Sequence, residues 1–162
     1  MKKLLFFFIL MLLTLASGCS STTPTNPYTG GVLNIGIIGN SPTIIENKTV
    51  KFVQITFEDL AKDNYKNYDA VFIMKEKLAE ASTDNYSQIY AELQKPIIFI
   101  GTDTLSPFIS DDIEYRPKDF QKGLSYSAGL IEGTRYSFGL YNDKENEATI
   151  KLFYSDLFRL IE

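Results

Sequence analysis

Four short polar stretches hold the residue types from which a site could be built. Gly39-Asn40-Ser41-Pro42 offers a hydroxyl and backbone N–H groups, the donors that hold an anion where a short helix begins. Lys75-Glu76-Lys77 alternates charge, which suits pairing with a charged ligand or a solvated helix start. Gly101-Thr102-Asp103-Thr104 sets two hydroxyls beside a carboxylate; it could contact a polar ligand, centre a carboxylate-based hydrolase on Asp103, or close an Asx-turn on itself. Asp111-Asp112-Ile113-Glu114 is the densest acidic run and could contribute oxygens to calcium, although the D-x-[DN]-x-[DN]-G loop is absent. The phosphate-loop spacings GxxxxGK[ST] and GxGxxG are missing as well, and Pro42 removes one N–H donor from the first stretch.

The chain has no histidine and one cysteine, Cys19. That removes the commonest general base and the commonest neutral metal ligand, and with them Ser-His-Asp and Cys-His nucleophiles and zinc sites built on His or Cys. The sequence therefore favours a non-catalytic protein with no cofactor and no metal. Gly39, Asn40, Ser41, Lys75, Thr102 and Asp103 are the candidate ligand contacts.

The elements that would position them alternate. Leu33 to Gly39 is a β-branched run ending in glycine; Ala70 to Met74 and Ile97 to Gly101 are continuous apolar runs suited to a sheet centre, and Lys51 to Ile55 alternates as an edge strand does. Thr56 with Asp59 three residues on marks a helix start. Ser82 or Thr83 is expected to cap a helix carrying Tyr86, Ile89, Tyr90 and Leu93, and a single helical turn is expected at Pro42 to Glu46. A last helix is expected after Asn142, with Ile150, Phe153, Leu157 and Leu160 on one face. Residues 124 to 141 read as a hairpin turning at Glu132-Gly133. Strands alternating with helices imply an α/β, flavodoxin-like three-layer sandwich with a mostly parallel sheet of about 5 or 6 strands, a C-terminal antiparallel hairpin and a terminal helix. In such sheets ligands bind outside the carboxyl ends of the strands, where all four polar stretches except the acidic run would fall. Thr102 to Gly123 is expected to be a partly ordered cover, and Tyr65, Tyr68, Tyr115, Tyr126, Tyr136, Tyr141 and Tyr154 are candidate surface groups.

The first residues speak of address rather than chemistry. Lys2 and Lys3 precede an apolar stretch, Leu4 to Leu15, broken only by Thr14 and too short to span a bilayer, which needs roughly 20 apolar residues. Leu15-Ala16-Ser17-Gly18-Cys19 resembles the lipobox of bacterial lipoprotein precursors, with Ala16 where the commonest pattern has leucine. The resemblance covers only the leader. It implies cleavage after Gly18, lipidation of Cys19 and attachment to the extracytoplasmic face of the cell membrane through acyl chains. Two or more chains give stable anchoring.

Ser20 to Gly31, rich in Ser, Thr, Pro, Asn and Gly, reads as a tether that reaches about 40 Å when extended. The organisation expected is thus a signal peptide over 1–18, a lipidated tether over 19–31 and one α/β domain over 32–162. Without Lys2 and Lys3, 14 basic residues face 20 acidic ones, a balance of −6. That balance argues against nucleic acid as a partner and against electrostatic adhesion to anionic lipid. The function expected is a lipid-anchored cell-envelope binding module with an envelope protein as its partner; a small-molecule or nucleotide binder and a carboxylate hydrolase are the alternatives.

Overall fold

The computed structural model describes residues 26–83, 86–110, 113–116 and 125–162. The expectations for the leader and Cys19, for Asp111 and Asp112, and for residues 117–123 of the cover lie outside the described residues.

Six strands form one sheet: β1 (Leu33–Ile38), β2 (Val50–Gln54), β3 (Ala70–Ile73), β4 (Ile97–Ile100), β5 (Ser127–Ile131) and β6 (Thr134–Phe138), in the order β2-β1-β3-β4-β5-β6. β1 to β4 run parallel. β5 is antiparallel to both neighbours, so β6 again points the way of β1. The residue types explain the placement. Every residue of β3 and β4 is buried, as unbroken apolar runs require, whereas the alternating β2 takes one edge. Glu132 (φ 50°) and Gly133 (φ 74°) make the tight turn between β5 and β6, both in the left-handed region that two-residue hairpin loops demand.

Helices cover both faces. On one lie α1 (Phe57–Ala61), α2 (Leu78–Ala81), α3 (Ser87–Glu92) and α4 (Ser106–Ile109), which pack Leu60, Leu78, Tyr90 and Phe108 onto Val71, Ile73, Ile97 and Phe99. Phe99 and Phe108 stack with centroids 4.3 Å apart. The other face is covered by α5 (Glu147–Ile161), whose Tyr154 and Phe158 each stack with Phe72 at 6.4 Å and with each other at 6.2 Å. The β1–β2 connection lies on the α5 face, where Ile44 packs, while β2–β3 crosses on the other. Reversing direction along the sheet while keeping one hand of crossover requires that exchange of faces.

Several local expectations need correction. Pro42 to Glu46 forms no helical turn; instead the Glu46 carbonyl accepts the Thr49 and Val50 N–H groups and turns the chain into β2. Ser82 and Thr83 do not cap α3. Their hydroxyls donate back to the Ala79 and Glu80 carbonyls and finish α2. The last helix is capped by Asn146, not Asn142: its side chain accepts the Ala148 and Thr149 N–H groups and Thr149 reciprocates. Asn142 itself is left-handed at φ 53°. The buried stripe of α5 is centred on Tyr154 and Phe158, leaving Leu160 41% exposed, because one helix must cover this face of the sheet and both rings turn inward. Tyr65 and Tyr154 are core residues rather than surface groups, and Tyr136 and Tyr141 are exposed. The cover contains α4, with Phe108 buried and Tyr115 against it at 5.5 Å. Finally, packing begins before residue 32, since Tyr28, placed by its neighbours' composition in the tether, is 3% exposed.

Among the described residues no helix is long and apolar enough to cross a membrane.

Candidate functional site

β1 and β3 are neighbours whose onward connections depart in opposite directions, β1 toward β2 and β3 toward β4. A crevice for ligands is expected at such a switch point, outside the carboxyl ends of the two strands. Gly39 and Asn40 follow β1, Met74 to Glu76 follow β3, and Gly101 to Asp103 follow β4, so the topology brings the candidate residues to one end of the sheet.

Two glycines let the segment after β3 lie across that end. Gly39 has φ 116°, and a Cβ on it would sit 2.7 Å from Met74 Cβ and 2.8 Å from Glu76 Oε1. Gly101 has φ 90°, and a Cβ there would sit 2.7 Å from Lys75 Cγ and 2.8 Å from its Cβ. Side chains at either position would push the Met74–Glu76 segment away.

The polar groups engage one another. Asn40 N–H, the donor available to an anion after β1, donates to Glu76 Oε1 at 2.6 Å. Ser41 Oγ accepts from the Gln54 amide at 3.3 Å. Thr102 is buried; its hydroxyl donates to the Thr104 carbonyl at 3.1 Å and accepts the Thr104 N–H at 3.3 Å, closing a local turn. Thr104 then accepts the Ser106 N–H and leads into α4. Lys75 and Asp103 differ: neither has an ion-pair partner among the described residues, and both reach solvent.

A hydroxyl and a carboxylate also meet after β2, where Thr56 Oγ1 donates to Asp59 Oδ2 at 2.7 Å. This pair is a capping box. The Thr56 hydroxyl, then the Asn64 amide and the Thr56 N–H, hold the Asp59 carboxyl below the usual carboxylate range. Glu114, the described acid of the acidic run, lies 3.7 Å from Arg116, and both are exposed. Among the described residues no group of three His, Cys, Asp or Glu side chains could hold a metal ion.

No protein-family model, no curated protein and no solved structure matches the chain.

Two participants were not legible in the sequence. Glu76 was visible only as one charge in an alternating run; its bond to Asn40 spans 36 residues and depends on β1 and β3 being neighbours. Glu46 is 5% exposed, at the opposite end of the sheet. Its Oε1 accepts the Tyr28 N–H at 2.8 Å and the Ser155 hydroxyl, and its Oε2 has no partner among the described residues.

Proposed function

We propose that the chain is a lipid-anchored cell-envelope protein whose domain is a non-catalytic binding module on a flavodoxin-like frame, with its contact surface at the carboxyl ends of the strands. One observation carries the preference for binding over nucleotide or phosphate chemistry. The N–H that would receive an anion after β1 already holds a carboxylate of the chain itself, Glu76 on Asn40. The engaged Thr102 hydroxyl supports the same reading. The strand order β2-β1-β3-β4-β5 supports a flavodoxin-like frame, from which the reversed β5 and the added β6 depart. The anchor rests on the leader residues and on Cys19.

A second reading follows from Lys75 and Asp103, whose charged ends would remain available to a polar small molecule. Thermal shift of the full mature chain separates the two. Silence toward nucleotides, flavins and sugars is expected, whereas stabilisation by any of them, lost in Asp103→Ala, would replace the first reading with the second. The anchor has its own test: Cys19→Ser should abolish fatty-acid labelling and membrane retention, and persistence of both would refute it.

A further inference from the structure

We propose that residues 26–31 are a docked strap rather than free tether, and that the strap turns the amino ends of the strands toward the membrane and the carboxyl-end loops away from it. The second half rests on the lipid-anchor reading; the first does not.

Four contacts tie the strap down and a fifth braces it from within. The Tyr28 ring is buried and meets Phe158 edge-on at 6.1 Å. Its N–H donates to Glu46 Oε1 at 2.8 Å and its hydroxyl to the Gly31 carbonyl at 2.9 Å. Gly31 N–H donates to Glu162 Oε1 at 2.8 Å, and the Arg159 guanidinium donates to the Asn26 carbonyl. Gly30 lies against the Glu162 carboxylate in this clasp, where a Cβ would displace that flexible tip. The buried Glu46 thereby gains a role: through one oxygen it joins the strap, the β1–β2 connection and α5 at Ser155.

All these groups lie at one end of the domain. The strap feeds the start of β1, where Leu33 N–H bonds the Thr49 carbonyl ahead of β2, and the last turn of α5 closes over it. Gly39 and Gly101 sit at the opposite end, beyond the other termini of the same strands. Docking also shortens the leash. Only residues 20–25 separate Cys19 from Asn26 in the clasp, and seven residue steps reach at most about 25 Å. A domain of this length has a diameter of roughly 35 Å. A leash shorter than the domain keeps the far end from turning down onto the lipid surface, which leaves the carboxyl-end loops open to a partner.

The test uses the acylated chain, purified from membranes and reconstituted in vesicles that carry a headgroup quencher. Because the Cys19 thiol is blocked by acylation, a single fluorophore can be placed at Lys48→Cys, beside the strap, or at Lys144→Cys, after β6. Quenching at 48 should exceed quenching at 144 several-fold, and Tyr28→Ala or the milder Arg159→Ala should narrow the difference. Hydrogen exchange in the same samples should show protected Tyr28 and Gly31 amides, lost in Tyr28→Ala while Val71 and Phe72 stay protected. Free-peptide exchange at Tyr28 and Gly31 overturns the strap. Equal quenching at the two positions with those amides protected overturns the orientation. A chain without acyl groups defeats the anchor and with it the orientation, and exchange alone then decides the strap.

Discussion

Replacing Gly39 with alanine should destabilise the domain by about 2 to 5 kcal/mol before any ligand is considered. A left-handed backbone costs an L-residue roughly 1 to 2 kcal/mol, and at φ 116° Gly39 lies beyond the comfortable left-handed well. The added methyl would also stand 2.7 Å from Met74 Cβ, an atom fixed to the backbone of the residue after β3. Overpacking of this kind adds about 1 to 3 kcal/mol.

Gly133 provides the control, since it is left-handed at φ 74° with nothing within 4 Å of a new Cβ, so Gly133→Ala carries the conformational part alone. Converted through the entropy of unfolding of a domain this size, the melting temperature should fall by roughly 7 to 17 °C for Gly39→Ala and by roughly 3 to 7 °C for Gly133→Ala. Urea titration should move both midpoints with an unchanged slope. The reasoning fails if Gly39→Ala melts within about 2 °C of the parent, or if the two variants are equally destabilised. A cheap Gly39→Ala that abolished binding of a small anion would instead mark the glycine as a ligand contact.

Burial pushes the Tyr90 and Tyr154 phenols far above their ordinary value of 10.0. The stability they contribute is complete below the unfolded value and is lost as pH rises past it, so unfolding above pH 10 should coincide with a rise in phenolate absorbance; ionisation without loss of circular dichroism would contradict this. Tyr90→Phe should cost about 1 kcal/mol by stripping the buried Ala81 carbonyl of its hydroxyl donor, measured by denaturant titration. The Asp59 carboxyl is held below its ordinary value, so its contribution is present above pH 4 and disappears as pH falls through the folded value. Asp59→Asn should flatten the acid limb of the stability curve, and an unchanged limb would show that the capping box does not titrate. Asn146→Ala removes the side chain that caps α5 and should cost about 1 kcal/mol, read as a shifted urea midpoint.

Much of the frame was legible because strand burial writes itself into composition. The unbroken runs Ala70–Ile73 and Ile97–Ile100 lie at the centre of the sheet, the alternating Val50–Gln54 lies at an edge, and Glu132-Gly133 turns the hairpin. Local signals misled where a tertiary partner decided the outcome. Ser82 and Thr83 have the chemistry of helix starts, yet their hydroxyls close the preceding helix, and Tyr154 reads as amphipathic although Phe72 and Phe158 enclose it. Strand ends alone place Gly39, Lys75 and Asp103 at one end of the sheet. The engagement of Asn40 by Glu76 and the inward turn of Glu46 join residues far apart in sequence, and no local spacing encodes such bonds.

The strap continues without a break into β1, which is paired on one side with β2 and on the other with β3, parallel to both. A tug arriving from the N-terminal side must first unseat Tyr28 and then pull β1 along its own axis. Both rows of backbone hydrogen bonds would be loaded in shear at once instead of being peeled apart singly. A load applied through the strap would thus be borne along the paired strands instead of opening them bond by bond.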